Sequence, residues 1–224
     1  MKSRIGALAA LGLALACPSA IAAPATVDLR VEGADDTIFE GTVRTDGHQI
    51  EQDKNGPQTC DGTNGGANPT PGPTVTSALD DAIAWDGTYN SSFSDFLVSR
   101  IGPDKATDTQ FWGTALNGTA TELGGCQVQV KTGDDVLWAY DMFSAKQFLA
   151  LSGPRTAKRD KPFKVKVTDT KNGNKPVKGA SVSGVAKTDA KGVATIVAED
   201  RGALLVKAER RGAIRSNALV VRVR

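Results

Sequence analysis

Alternating hydrophobic and polar positions predict strands near the start of the mature chain. Residues 26–31 alternate, with aliphatic side chains on one face and polar ones, including Asp28 and Arg30, on the other. This spacing indicates a strand that is buried on one face. Residues 33–36 are typical of a turn, and residues 37–43 form a second strand pattern. The two strands are therefore predicted to pair as a hairpin.

One segment has the spacing of a helix instead. In residues 77–85, Leu79 and Ile83 fall on the same face. Thr76 or Ser77 can cap the start of this segment. We therefore predict one main helix here, after a loop rich in glycine, proline and asparagine.

Further strands are predicted after this helix, at residues 111–116, 126–130 and 136–140. Residues 93–101 are apolar, and their pattern fits either a strand or a helix. Asn117 precedes a glycine, which is a hairpin turn signal. Strands on both sides of a single helix predict an α+β domain.

The pattern changes after residues 152–160, which contain a Gly-Pro pair and are predicted to be a linker. Beyond it, short alternating segments are separated by turns, and no helix is predicted. They lie at residues 163–168, 180–186, 193–197, 203–208 and 218–223. Short strands with turns at this spacing predict an all-β sandwich.

The first 23 residues resemble a secretory signal peptide. Lys2 and Arg4 precede an apolar run, and residues 20–22 supply a small-x-small cleavage pattern. The run is shorter than the roughly 20 residues that span a bilayer. Two alternatives stay open, an anchoring helix and a lipoprotein that is modified at Cys17. Export is the main prediction, with a secreted or cell-wall location.

Export makes a disulfide the expected state of the remaining cysteines. Only Cys60 and Cys126 follow the predicted cleavage site, so a single pairing exists. The bond would tie the glycine-rich loop to the later strands.

Charge is divided unequally along the chain. Residues 24–157 contain 19 acidic and 8 basic side chains, a balance of −11. Residues 158–224 contain 6 acidic and 17 basic side chains, a balance of +11. This division supports two domains and suggests that they associate through charge.

No set of catalytic residues is evident. His48 is the only histidine, it follows a turn, and we interpret it as an exposed loop residue. A histidine-based triad and a zinc site are therefore not predicted, and no cofactor is expected. An enzyme would need a cleft that holds two acids with perturbed pKa values.

Aromatic residues are the best candidates for ligand contacts, because their rings offer flat apolar surfaces. They are Trp85, Trp112, Trp138 and Tyr140. Core packing is the competing interpretation, and it applies most to Trp138 and Tyr140, which share one face of a strand. Trp112 is the favoured ligand contact, because it and its neighbour Phe111 must face opposite ways.

Two stretches resemble known families. Residues 26–41, the Phe111-Trp112 pair and residues 133–137 are similar to an uncharacterised family of secreted bacterial domains. That family is itself similar to the C-terminal domain of transcobalamin and intrinsic factor, and the resemblance implies a β-grasp-like fold over residues 26–143. Residues 176–182 and 188–194 resemble bacterial immunoglobulin-like, or carboxypeptidase-regulatory-like, modules.

These observations predict a signal peptide (1–23), a β-grasp-like α+β domain (24–151), a linker (152–160) and an immunoglobulin-like β-sandwich (161–224). The predicted function is a bacterial, non-enzymatic binding protein without a membrane span or a nucleic-acid partner. A corrinoid-type small molecule and a cell-wall polymer are the two ligand classes considered. The alternative is a structural or interaction protein whose acidic and basic domains associate through charge.

Overall fold

A computed structural model describes residues 23–52 and 56–224. The predicted signal peptide lies outside the described residues, apart from its last position. The described chain consists mostly of short β-strands and contains one α-helix. This confirms the β-rich character predicted from the sequence.

Among the described residues of the N-terminal half, 23–52 and 56–144, there are ten strands and the helix. The strands are β1 (Ala25–Glu32), β2 (Thr37–Thr45), β3 (His48–Ile50), β4 (Gln58–Cys60), β5 (Trp85–Asn90), β6 (Asp95–Ile101), β7 (Asp104–Lys105), β8 (Trp112–Leu116), β9 (Thr119–Ala120) and β10 (Asp135–Tyr140). The helix is α1 (Val75–Asp80), and two 3₁₀ turns lie at Asn64–Gly66 and Met142–Ser144.

The main sheet of this half has the strand order β2-β1-β10-β8-β9. Its central strands β1 and β10 are parallel, and the other neighbours are antiparallel. The aliphatic face of β1 belongs to a core that also contains Val75 and Leu79 of α1. The predicted hairpin of β1 and β2 is confirmed.

Helix α1 is shorter than predicted. The Thr74 side chain accepts the backbone N–H of Ser77, and the Ser77 hydroxyl accepts the N–H of Thr74, so the two residues form a capping box. The helix ends at Asp80, whereas the sequence predicted that it continues to Trp85. Trp85 instead begins β5, where it pairs with Ile101 and its ring is buried.

Residues 126–130 were also predicted wrongly. They form an isolated bridge between Gln129 and Thr74 rather than a strand. The carbonyl of Val128 accepts the N–H of Val75, so this segment pairs with the irregular chain before α1. The ambiguous segment 93–101 contains strand β6.

The predicted disulfide is confirmed. Cys60 and Cys126 are joined, with 4.7 Å between their Cα atoms, and both are fully buried. The bond links the end of β4 to the segment that pairs with the chain before α1. The glycine-rich loop between β4 and α1 is thereby tied to the core.

The C-terminal half, residues 145–224, holds the remaining eleven strands. They are β11 (Gln147–Ser152), β12 (Thr156–Ala157), β13 (Pro162–Asp169), β14 (Lys175–Pro176), β15 (Ser181–Val182), β16 (Ala186–Lys187), β17 (Val193–Val197), β18 (Gly202–Val206), β19 (Ala208–Glu209), β20 (Ala213–Ile214) and β21 (Leu219–Val223). All residues of this half are described and none is helical, as predicted.

These strands form three small sheets around an aliphatic core. β13 pairs with β11, β14 and β17, β21 lies between β12 and β18, and β15 lies between β16 and β19. β11 was not predicted, and its Leu149 and Leu151 belong to this second core. The predicted domain boundary at residue 151 therefore runs through a strand of the C-terminal half.

A third apolar cluster joins the two halves. It contains Ala115, Leu137, Ala139, Met142, Ala145, Phe148 and Ile214. The first three come from β8 and β10, and the last two come from β11 and β20. The main N-terminal sheet is therefore covered on both faces, by α1 on one side and by the C-terminal half on the other.

Candidate functional site between the two halves

The polar face of β1 meets the C-terminal half. The sequence pattern predicted that this face is exposed to solvent. Instead, Arg30 and Glu32 are only 6% and 1% exposed. The prediction failed because the covering residues come from β18 to β21, far along the chain.

Glu32 is the centre of a buried cluster of charges. Its carboxylate accepts hydrogen bonds from Lys207 Nζ at 2.7 Å and from Arg215 Nε at 2.8 Å. It also accepts the Thr37 hydroxyl at 3.1 Å, and Arg30 Nη1 lies at 3.4 Å. A buried carboxylate is tolerated only when it is paired and hydrogen-bonded in this way.

Arg215 also holds the turn between β1 and β2. Its Nη1 and Nη2 atoms donate four hydrogen bonds, at 2.6–3.3 Å, to carbonyls of that turn. The acceptors are the carbonyls of Gly33, Ala34, Asp35 and Asp36. A second acid, Glu40, accepts Lys207 Nζ at 3.0 Å and the backbone N–H of Ala218 at 2.6 Å.

An open cleft of about 650 Å³ lies beside this cluster, between the two halves. Its N-terminal wall is acidic and includes Asp28, Glu40 and Asp135. The opposite wall contains the basic residues Arg155 and Lys207 together with Leu205 and Val220. Leu205 and Val220 are cross-strand neighbours on β18 and β21 and are 61% and 48% exposed. The cleft therefore combines charged and apolar surfaces, and its volume suits a small ligand.

The acidic wall has an unusual electrostatic environment. Asp135 remains accessible to solvent but lies in a concave cleft, and this partial removal from bulk water raises the pKa of its carboxyl group. Arg30 opposes that rise, whereas the negative charges of Asp28 and Glu40 add to it. Arg30 Nε is itself buried and has no hydrogen-bond acceptor among the described residues.

The predicted aromatic contacts lie mostly in the N-terminal core. Trp85, Trp112 and Trp138 are 4%, 7% and 4% exposed. Trp112 and Tyr140 pack edge to face, with ring centroids 5.5 Å apart. Tyr140 lines a smaller cavity of about 220 Å³ next to Arg215, and none of the three tryptophans lines this cavity or the cleft. The structure therefore does not bring the aromatic residues together around a ligand site.

His48 is not the exposed loop residue that the sequence suggested. It begins β3, and its Nε2 atom lies 3.1 Å from the Asp80 carboxylate of α1. This hydrogen bond raises the pKa of His48 to about 9, although partial burial opposes the change. Burial alone would raise the pKa of Asp80, but hydrogen bonds from His48, Gln52 and Trp85 outweigh it and lower that pKa.

Comparisons with known proteins identify no relative of this chain. No family model, curated protein or solved structure matches the chain. Within the described residues, no helix is long and apolar enough to cross a membrane. The same part of the chain contains no group of three or more metal-ligating side chains.

The interface residues were not identified from the sequence. Arg30, Glu32, Lys207 and Arg215 carry no local motif, because their partners across the interface lie more than 160 positions away. The one available signal was the opposite charge balance of the two parts of the chain.

Proposed function

We propose that the chain is an exported, non-enzymatic binding protein whose ligand occupies the cleft between the two halves. The main observation behind this proposal is the cleft, in which Leu205 and Val220 are exposed opposite the acidic face of the N-terminal sheet. The confirmed disulfide supports export, since such bonds persist in oxidising compartments.

The strand order supports the finer fold assignments. The N-terminal sheet places a parallel pair, β1 and β10, at its centre and packs one helix on one face. We assign it a β-grasp-like fold. The C-terminal half consists of small sheets around one aliphatic core, for which we propose an immunoglobulin-like sandwich.

The walls of the cleft define the ligand chemistry. Leu205 and Val220 suit an apolar surface. Asp28 and Asp135 suit hydrogen-bond donors or a positive charge, and Arg155 suits a hydrogen-bond acceptor or a carboxylate. Corrinoid-type molecules carry amide donors on an apolar framework, and cell-wall polymers carry amide and hydroxyl donors. Both ligand classes therefore remain within the proposal.

Calorimetry on the whole chain tests this proposal. It measures the binding of two probes, cyanocobalamin and soluble peptidoglycan fragments. Val220→Trp should fill the cleft. It should therefore weaken binding of whichever probe the wild-type chain binds, roughly tenfold or more. Val185→Trp, at a 73% exposed valine outside the cleft, is the matched control and should bind normally. The fragments should be recovered intact, and hydrolysed fragments would indicate an enzyme instead. If the wild-type chain binds neither probe, the proposal is wrong.

The second candidate is a structural or interaction protein whose two parts associate through charge. The buried Glu32 carboxylate, paired with Lys207 and Arg215, favours it. In this case Glu32→Gln should raise hydrogen exchange across residues 207–218, while neither probe binds. Unchanged exchange in this variant would count against the second candidate.

A further inference from the structure

A second open surface lies in the N-terminal half, at a groove of about 360 Å³. Three exposed apolar side chains line it: Phe93, Leu97 and Leu123 are 70%, 64% and 53% exposed. Phe96 also lines the groove but is nearly buried. Large apolar side chains exposed together in this way mark an interaction surface.

The groove also has a defined charge. Of the described residues that line it, Glu122 is an exposed acid, Asp95 is a buried acid whose pKa is raised by burial to about 6, and none is a lysine or arginine. Asp95 is held in place because its carboxylate accepts the backbone N–H groups of Phe96 at 2.7 Å and Cys126 at 3.0 Å. A matching partner therefore presents an apolar side chain for the groove and a positive charge for Glu122.

The C-terminal half carries such a surface. On the outer face of β13 and β17, Val197 is 53% exposed and lies opposite Pro162. Lys164 and Lys166 follow on the same face, since side chains two positions apart on a strand point the same way. Both lysines are exposed. These four residues form the Val197 face.

The ion pairs between the two halves of one chain neutralise only a small part of the net charge of each half. The ion pairs found between the described halves use Glu32 and Glu40 on one side, and Lys207 and Arg215 on the other. Residues 23–144 contain 19 acidic and 6 basic side chains, and residues 145–224 contain 6 acidic and 19 basic ones. Pairing therefore lowers each balance by only two, from −13 to −11 and from +13 to +11. The folded chain remains a strong dipole.

We propose that the groove receives the Val197 face of a second copy of this chain, so that copies associate head to tail. Opposite charge steers the acidic end of one copy to the basic end of the next. Because the two surfaces differ, the contact is heterologous and repeats along a row of copies. This inference concerns surfaces outside the cleft, and it stands or falls independently of ligand binding there.

Sedimentation of the whole chain at increasing concentration tests the proposal. At low salt we expect species larger than a dimer, which dissociate at high salt because exposed charges are screened. A groove variant, Phe93→Ser with Leu97→Ser, and a face variant, Val197→Ser with Lys164→Glu, should each weaken association roughly tenfold or more. Val185→Ser changes an exposed valine outside both surfaces and should associate like the wild type.

Mixing the two variants gives the sharpest result. Each retains one intact surface, so an equimolar mixture should form dimers and nothing larger. Glu122→Lys provides a second groove variant that leaves the apolar side chains in place. A wild-type chain that stays monomeric at low salt overturns the proposal. The proposal is also overturned if the groove variant and the face variant both associate as strongly as the wild type.

Discussion

The two halves of this molecule stabilise small β-sheets in different ways. The N-terminal half has a disulfide, a capped helix and three buried tryptophans in its core. The C-terminal half has no cysteine or tryptophan and relies on short strands around an aliphatic core. Small domains bury a limited share of their surface. We infer that the C-terminal half depends more strongly on docking to its neighbour.

This difference also provides a way to observe each half separately. All tryptophans and tyrosines of the chain lie in the N-terminal half, so its unfolding can be followed by fluorescence. The C-terminal half can be followed by hydrogen exchange of its strands. Changes in the two halves and at their interface should therefore give distinct signatures.

Removal of the disulfide should have the largest effect. The bond closes a loop with a sequence separation of 66 residues, and the chain-entropy model predicts a contribution of about 4 kcal/mol. Cys60→Ala with Cys126→Ala should lower the free energy of unfolding measured by fluorescence in urea by about this amount. At urea concentrations where the N-terminal half stays folded, exchange in β13 and β17 should change much less, because the docking surface is kept. Equal loss of protection in both halves would contradict the comparison.

Neutralising Glu32 should have the next largest effect. Glu32→Gln leaves Arg215 without its carboxylate partner and leaves Lys207 paired with Glu40 alone, at a largely buried site, which costs about 3 kcal/mol. Urea unfolding measures this loss, and exchange should rise first in residues 207–218. Asp86→Asn is the control, because Asp86 pairs with Arg100 at the surface and should contribute less than about 1 kcal/mol. A similar effect of both variants would show that docking is not held by the buried cluster.

Buried threonines allow a matched comparison of the two cores. Thr74 caps α1 by accepting the N–H of Ser77, and Thr188 donates to the carbonyl of Val177 and accepts the N–H of Ala180. Replacing either by valine keeps the shape and leaves backbone groups unpaired, at a cost of about 1–2 kcal/mol. Thr188→Val should have the larger effect, because it leaves two backbone groups unpaired, whereas Thr74→Val leaves one and otherwise loses only a weak contact of 3.4 Å with Cys60 Sγ. The reverse order in urea unfolding would contradict this prediction.

The smallest effect is a pH dependence confined to the N-terminal half. The pKa of His48 is raised from 6.5 to about 9, so the protonated form stabilises the fold. This contribution is complete below pH 6.5 and is lost as the pH rises through 9. Since the pair is partly open to solvent, we expect roughly 1 kcal/mol. Fluorescence-detected unfolding should lose this slope in His48→Gln, and a slope that persists would assign it to another group.

Features with nearby determinants were predicted well from the sequence. The β1–β2 hairpin follows from alternation around a short turn. The turn at Asn117 follows from an Asn-Gly pair in which both residues have positive φ, 51° and 80°. The disulfide needed only the observation that two cysteines remain after the predicted cleavage.

The candidate site could not be predicted in the same way. Alternation placed Arg30 on the polar face of β1, but it contains no information about a surface more than 180 residues away that covers this face. The charge balance indicated attraction between the two parts without naming Glu32 or Arg215. Likewise, the spacing of Trp112 on a strand cannot distinguish a ring that contacts a ligand from one that packs against Tyr140.

Arg215 donates hydrogen bonds to the carbonyls of four consecutive residues, and this has a practical consequence for protein engineering. A loop graft or an affinity tag inserted within residues 33–36 would displace the acceptors that one guanidinium holds together. Such an insertion should therefore loosen residues 207–218 on the far side of the interface. A tight surface turn is usually a convenient insertion point. Here, however, the carbonyls of the turn bind a side chain that is distant in sequence.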